Sequence, residues 1–175
     1  MKWYNEPAHW HETNGTITVT ADAKTDFWRV TRHAFINDNG HFYSQPFTGD
    51  FTAEVKFKGA YIAQYDHAGL MVRENERTWV KCGVEYVDGK PYVGAVITRD
   101  FSDWSIMPLL EDTPIWLRVM RIESAIEVYF SSDGSAYSMI RQGYLSESET
   151  LDVGIMCASP VGDGFDVTFE GLTVR

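Results

Sequence analysis

The chain has 175 residues, 44% of them hydrophobic and 14% aromatic, enough for one domain with a substantial core and too apolar for intrinsic disorder. Twenty-five Asp and Glu outweigh fifteen Lys and Arg, for a net charge of −10; such a surface repels phosphate backbones and anionic lipid, so neither a nucleic-acid nor a membrane partner is expected. No apolar run approaches a membrane span, and the opening MKWYNEPAHW lacks the apolar centre of a secretory signal, so a cytoplasmic protein is expected.

Helical periodicity is almost absent. Runs of period two recur between clusters of Gly, Asp, Asn, Ser and Pro. In chain order they predict strands at residues 16–20, 27–31, 50–58, 67–73, 78–87, 91–99, 115–122, 125–131, 137–143, 151–158 and 165–175. Turn signals separate them: NDNG at Asn37, ENER at Glu74, VDGK at Val87, SSDG at Ser131 and VGDG at Val161. Short helical turns are expected around 109–113 or 146–150. The regular spacing of short strands predicts a single all-β domain over 1–175, a sandwich or barrel. TDFWR at Thr25 and FSDWS at Phe101 read as loops.

Phe51, Ala53, Val55 and Phe57 alternate with Thr52, Glu54, Lys56 and Lys58, giving one apolar and one solvated face. Residues 126–130 and 165–170 alternate likewise, and Trp116 reads as structural. Two stacked antiparallel sheets sharing one apolar layer account for the pattern. The middle of the chain differs. Residues 78–87 and 91–99 are joined by DGK as a hairpin. Val80, Cys82 and Val84 face Val93, Ala95 and Ile97 as core. The opposite face carries Trp79, Lys81, Gly83 and Glu85, then Tyr92, Gly94, Val96 and Thr98. By the same parity, His67, Gly69, Met71 and Arg73 join that face if their strand lies alongside. An indole, a lysine and a glutamate beside two strand glycines mark a groove, because glycine inside a strand leaves room for another group.

TDFWR, YDHAGLMVR at Tyr65, WVKCGVEYVDG at Trp79 and SDWS at Ser102 follow one another in an order that resembles the YesU-like family of unknown function. That family also includes yeast regulation-of-enolase proteins. The resemblance covers nearly the whole chain and implies the concanavalin A-like lectin/glucanase fold, a two-sheet jelly roll with one concave face. It departs at His67, where the pattern has Gln. It implies no reaction. KCGVEY at Lys81 is also similar to a groove strand of jelly-roll alginate lyases, with Glu85 in place of the lyase tyrosine, and this supports a groove-facing Lys81 and Glu85.

Three functions follow as expectations. The first is binding of a carbohydrate or glycan-derived metabolite in the concave sheet. Flat rings stack on sugar C–H faces while charged groups hydrogen-bond hydroxyls. The platforms are Trp79, Tyr92, Trp28 and Trp104; the polar groups are Lys81, Glu85, Arg73, His67 and Asp103. The second is a hydrolase or lyase on the same ligands, with Glu85 and Lys81 as catalytic candidates and Asp103 or Glu54 as a second carboxylate. Concanavalin A-like glucanases resemble one another in a Glu-x-Asp-x-x-Glu strand that this sequence lacks, and the Lys81 ammonium is expected to lower the Glu85 pKa. The third is a module that binds a protein partner. A homodimer through edge strands is also open.

No cofactor or metal is expected. The sequence has no CxxC, HExxH, G-x-S-x-G or Gly-rich phosphate loop. His9 and His11 share one side of an extended segment, but zinc needs further ligands. Asn37, Asp38, Asp163 and Asp166 sit in Asx-Gly runs that read as turns. Cys82 and Cys157 lie in apolar runs; two buried thiols and one disulfide both fit.

Overall fold

The structure, a computed structural model, describes residues 1–110 and 113–175. Among these residues there is no helix, so none is long and apolar enough to cross a membrane. Sixteen strands run in chain order: β1 (Lys2–Tyr4), β2 (His9–Thr13), β3 (Thr16–Asp22), β4 (Phe27–Arg29), β5 (Ile36–Asp38), β6 (His41–Thr48), β7 (Phe51–Gly59), β8 (His67–Asn75), β9 (Thr78–Val87), β10 (Lys90–Arg99), β11 (Phe101–Pro108), β12 (Ile115–Ile122), β13 (Ala125–Ser131), β14 (Ser138–Tyr144), β15 (Thr150–Ala158) and β16 (Gly164–Val174). They build two seven-stranded antiparallel sheets, ordered β1-β6-β15-β8-β9-β10-β11 and β14-β13-β12-β7-β16-β3-β2, plus the small β4-β5 hairpin. The β-sandwich expected from the period-two runs is the fold, and it is the two-sheet jelly roll that the family resemblance implies.

The alternation explains the layering. Phe51, Ala53, Val55 and Phe57 of β7 point inward with Leu117 and Val119 of β12 and Val167 and Phe169 of β16. Leu70 and Val72 of β8, Val80, Cys82 and Val84 of β9, and Val93, Ala95 and Ile97 of β10 meet them from the other sheet. Both cysteines are free and buried in this layer. Burial pushes the Cys82 thiol up to about 12 and raises Cys157 further, so neither is a nucleophile.

Five strands lie outside the predicted set: β1, β2, β5, β6 and β11. FSDWS is strand, not loop. The β10 ladder runs from Tyr92↔Pro108 to Arg99↔Phe101 and imposes extended backbone on a Ser- and Asp-rich segment. β6 carries Pro46, which reads as a breaker; it sits beyond the short partner β1, where a missing N–H interrupts no ladder. The turn expected around 146–150 is irregular chain leading into β15, and the one around 109–113 lies partly outside the described residues.

The β4-β5 hairpin sets the site. It lies across the outer face of the first sheet and seals half of it with a second small core: Phe27, Phe42, Met71, Trp79, Val96 and Met156. Polar ties hold it down. Arg73 forks Asp38 at 2.7 and 2.8 Å. The backbone N–H of Arg29 donates to Ser102, and Arg29 reaches the carbonyl of Asp100.

Candidate functional site

Past the edge of this cover the sheet face stays open. β9 carries Trp79, Lys81, Gly83 and Glu85 on one face, and the hairpin buries only the first of these completely. What remains is a cleft of about 340 Å³, within the range of small-ligand pockets. Lys81, Glu85, Asp26 and Asn37 line its depth; Trp28, His33 and Phe35 form one wall, Tyr65 and Trp104 the other, and Pro160–Val161 one end. Gly83 and Gly94 line a narrower recess beneath. They face one another in register, and a Cβ at Gly83 would lie 1.9 Å from the Ala68 carbonyl oxygen. Glycine is required there by close backbone approach.

The floor is a charged network. The Lys81 ammonium is buried and donates to Asp26 Oδ1 at 3.2 Å and to His67 Nε2 at 3.1 Å. His67 Nδ1 lies 2.7 Å from the carbonyl oxygen of Tyr65. That pair fixes the tautomer: Nδ1–H donates to the carbonyl and the bare Nε2 accepts from Lys81. Burial, reinforced by the Lys81 ammonium, pushes the His67 imidazole down to about 3, so it is neutral at ordinary pH. For Asp26, burial acts to raise the carboxyl, but the Lys81 ammonium and the N–H of Phe27 outweigh it and hold Asp26 below the usual range.

Glu85 differs. Its Oε2 accepts the Trp104 indole N–H at 2.8 Å. Burial raises its pKa, and the opposing pull of Lys81 and Trp104 is smaller. Lys81 does pull the Glu85 carboxyl down, as expected, but desolvation outweighs it and the net shift is upward. An ammonium has three hydrogens and a carboxylate two oxygens. Among the described residues, one Lys81 hydrogen and Glu85 Oε1 have no partner. A donor and an acceptor are thus both available on the floor.

The rims are aromatic. Tyr65 and Trp104 meet edge to face at 6.4 Å and are both more than a third exposed. Opposite them, Trp28 is pinned by its N–H to the Thr31 carbonyl, and His33 stacks on Phe35 at 5.5 Å. The turn between β4 and β5 holds Val30, Arg32 and Ala34 at positive φ. For a β-branched residue this is a strained backbone, of the kind that clusters at ligand sites.

Of the residues singled out in the sequence, Lys81, Glu85, Trp28 and Trp104 line the cleft, with His67 just beneath. Trp79 is fully buried under Phe27, with ring centroids 6.2 Å apart, and offers no platform. Arg73 is spent on Asp38 and lies against the Tyr4 ring. Tyr92 pairs with Glu85 across the strands but lies outside the lining. Asp103 points off the opposite side of β11 to an ion pair with Arg141. Glu54 is on the far sheet with Arg118 and Arg175, so neither is a second cleft carboxylate. Asp26, Tyr65, His33 and Phe35 were not singled out, and Asn37 was read only as a turn residue. Asp26 and Tyr65 sit inside the quoted TDFWR and YDHAGLMVR, but nothing local says that these segments converge. Among the described residues no three His, Cys, Asp or Glu converge as metal ligands.

Comparison with known proteins bears on the fold and the family. The chain is 36% identical over 96% of its length, and 85% of the relative's, to Regulation of enolase protein 1 of Saccharomyces cerevisiae. A crystal structure of a functionally unknown Saccharomyces cerevisiae protein superposes with a TM-score of 0.96 at 34% identity, covering 99% of this chain and 95% of that one. At fold level only, the carbohydrate binding module CBM66 from Bacillus subtilis matches with a TM-score of 0.62 at 13% identity over 99% and 94% of the two chains. The GH43 protein BlXynB of Bacillus licheniformis (K247S mutant) matches with a TM-score of 0.75 at 16% identity, over 97% of this chain and 35% of that protein. Residues 3–175 match the family described as Protein of unknown function (DUF1349), and the chain belongs to it.

Proposed function

We propose that the cleft binds a carbohydrate or a glycan-derived metabolite. One observation carries this: aromatic walls stand over a floor where one Lys81 hydrogen and Glu85 Oε1 are both unspent. A sugar hydroxyl both donates and accepts, and a pyranose ring presents flat C–H faces between its hydroxyls. Trp104 and Tyr65 supply the ring contacts, and Lys81 and Glu85 satisfy a hydroxyl or a vicinal pair. The Lys81–Asp26–His67 network pre-positions the donor, which limits the entropy lost on binding. Asp26 already neutralises Lys81, so the floor does not favour an anion. The fold shared with a carbohydrate binding module supports the reading. The two free thiols support a reducing, cytoplasmic setting.

A hydrolase is the second reading. Two carboxyl groups in one cleft, Glu85 pushed up and Asp26 held down, form the kind of pair that divides acid from base. Binding is preferred because Asp26 is occupied by Lys81 and is not free to activate water.

The test is titration of the protein with mono- and oligosaccharides, uronates and phosphorylated sugars by calorimetry, with the recovered ligand analysed by chromatography. Neutral saccharides are expected to bind and to be recovered intact. In Trp104→Ala affinity should fall about tenfold, the loss of one stacking surface, with stability little changed because Trp104 lies on an edge strand and is 40% exposed. Reducing-end release or an unsaturated uronate would establish an enzyme instead. Absence of binding across the panel would overturn the carbohydrate reading.

A further inference from the structure

The cleft is closed on several sides by different means, and this constrains what part of a saccharide can occupy it. Along β9, the side towards Trp79 is filled: Phe27 sits on Trp79, Met71, Val96 and Met156, all almost wholly buried. The Arg73–Asp38 fork holds that plug in place. Beyond Glu85, the loop carrying Tyr65 is tied down by buried Asp66. Its Oδ2 accepts the backbone N–H groups of Ile62 and Ala63, and its Oδ1 accepts the Ser159 hydroxyl.

The flank beside β15 is closed by the same chain of bonds. Ser159 exchanges hydrogen bonds with Thr25: the backbone N–H of Thr25 donates to the Ser159 carbonyl, and the N–H of Ser159 donates to Thr25 Oγ1. Lys24 donates to the Val161 carbonyl next to it. Cover, β15–β16 turn and Tyr65 loop are therefore one linked rim. On the remaining flank stands Trp104, fixed by its bond to Glu85. The exposed residues of the lining, His33, Phe35, Tyr65, Trp104 and Val161, mark the mouth.

We infer that the cleft is a blind pocket which takes the end of a saccharide, or a free mono- or disaccharide, and not the interior of a chain. The inference rests on the carbohydrate reading above and adds to it the mode of binding. A polymer crossing the sheet would have to displace Phe27 from a dry core or break the Thr25–Ser159–Asp66 ties. The volume of about 340 Å³ agrees, being near the lower bound of about 300 Å³ for small-ligand pockets.

The experiment uses the whole chain and linear malto-, xylo-, cello- and fructo-oligosaccharides from disaccharide to hexasaccharide, with the parent polymers, by calorimetry. In any series that binds, affinity per chain should change by less than about threefold with length. Stoichiometry on the polymer should stay at about one protein per chain end, since interior units offer no site. Affinity rising tenfold or more with length, or polymers binding many copies per chain, would overturn the blind pocket and leave the carbohydrate reading standing. If neither these series nor the monosaccharides, uronates and phosphorylated sugars of the first test bind, the carbohydrate reading itself fails and this inference with it.

Discussion

Trp79 and Lys81 are two residues apart on one strand and point the same way, yet they belong to different regions. Around Trp79 the sheet face is a dry second core. The indole lies beneath Phe27, and the nearby charge, Arg73, is matched by both oxygens of Asp38. Around Lys81 the face is open. The charges are again buried and paired, but the pairing stops short, leaving one ammonium hydrogen and one Glu85 oxygen. Strand parity placed both on the same face. The β4-β5 hairpin, which covers one and not the other, makes one structural and the other available to a ligand.

The largest expected effect breaks the covered half. Phe27→Ala removes a fully buried ring from the second core, and such truncations cost about 3–5 kcal/mol. Urea denaturation measures it, and the fluorescence of Trp79 should shift to the red as water reaches it. A loss below about 1 kcal/mol would mean that the hairpin rests on the sheet without forming a core.

The next effect separates the halves by pH. The folded His67 titrates at about 3, well below about 6.5 in an unfolded chain. Above the unfolded value neither state binds the proton, so His67 contributes nothing to the pH dependence. As pH falls from there towards 3, the unfolded state gains a proton that the native state refuses, and stability drains at up to about 1.4 kcal/mol per pH unit. Asp26, with a lowered pKa, keeps its contribution until pH falls below the ordinary carboxylate range. His67→Gln offers Lys81 a carbonyl acceptor and Tyr65 an N–H donor, keeping both hydrogen bonds. Relative to wild type, the variant should therefore gain about 2 kcal/mol between pH 7 and pH 5, measured by chemical denaturation at each pH. Equal slopes for the two proteins would show that His67 is not neutral in the native state. The covered half has no imidazole in its buried ion pair, which is Arg73 with Asp38.

Much of the fold was legible because alternation is a local property. The β9-β10 hairpin with its DGK turn and the apolar stripes of β7, β12, β13 and β16 follow from spacing alone. Strands such as β6 and β11, held by their neighbours and not by their own composition, were not legible. The site divided in the same way. Lys81 and Glu85 were found by parity on β9. Asp26 and Tyr65 come from connections distant in sequence, and the convergence is written only in long-range bonds such as Lys81 to Asp26 and Trp104 to Glu85. Trp79 was misplaced as a platform for the complementary reason: parity puts it on the outer face, and no local signal says that a hairpin fifty residues upstream will cover it.

The smallest stability effect is also the one that sharpens the open half. Because burial raises the Glu85 carboxyl, its anion is disfavoured in the native state. The sign is opposite to that of Asp26: the cost is present above the unfolded carboxylate range and fades as pH falls. Glu85→Gln should therefore raise Tm slightly at pH 8 and by less at pH 5. Gln can still accept the Trp104 indole N–H, so the wall stays in place. Its other polar atom is now an amide N–H₂, so the floor holds two donors where the wild type has a donor and an acceptor. A hydroxyl that must donate finds no partner, and affinity for any saccharide that binds should fall about tenfold or more, the usual worth of a hydrogen bond to a charged group. Stability rising while binding falls is what an unspent floor acceptor requires. A variant that loses stability at pH 8 would place Glu85 with Arg73 as a structural ion.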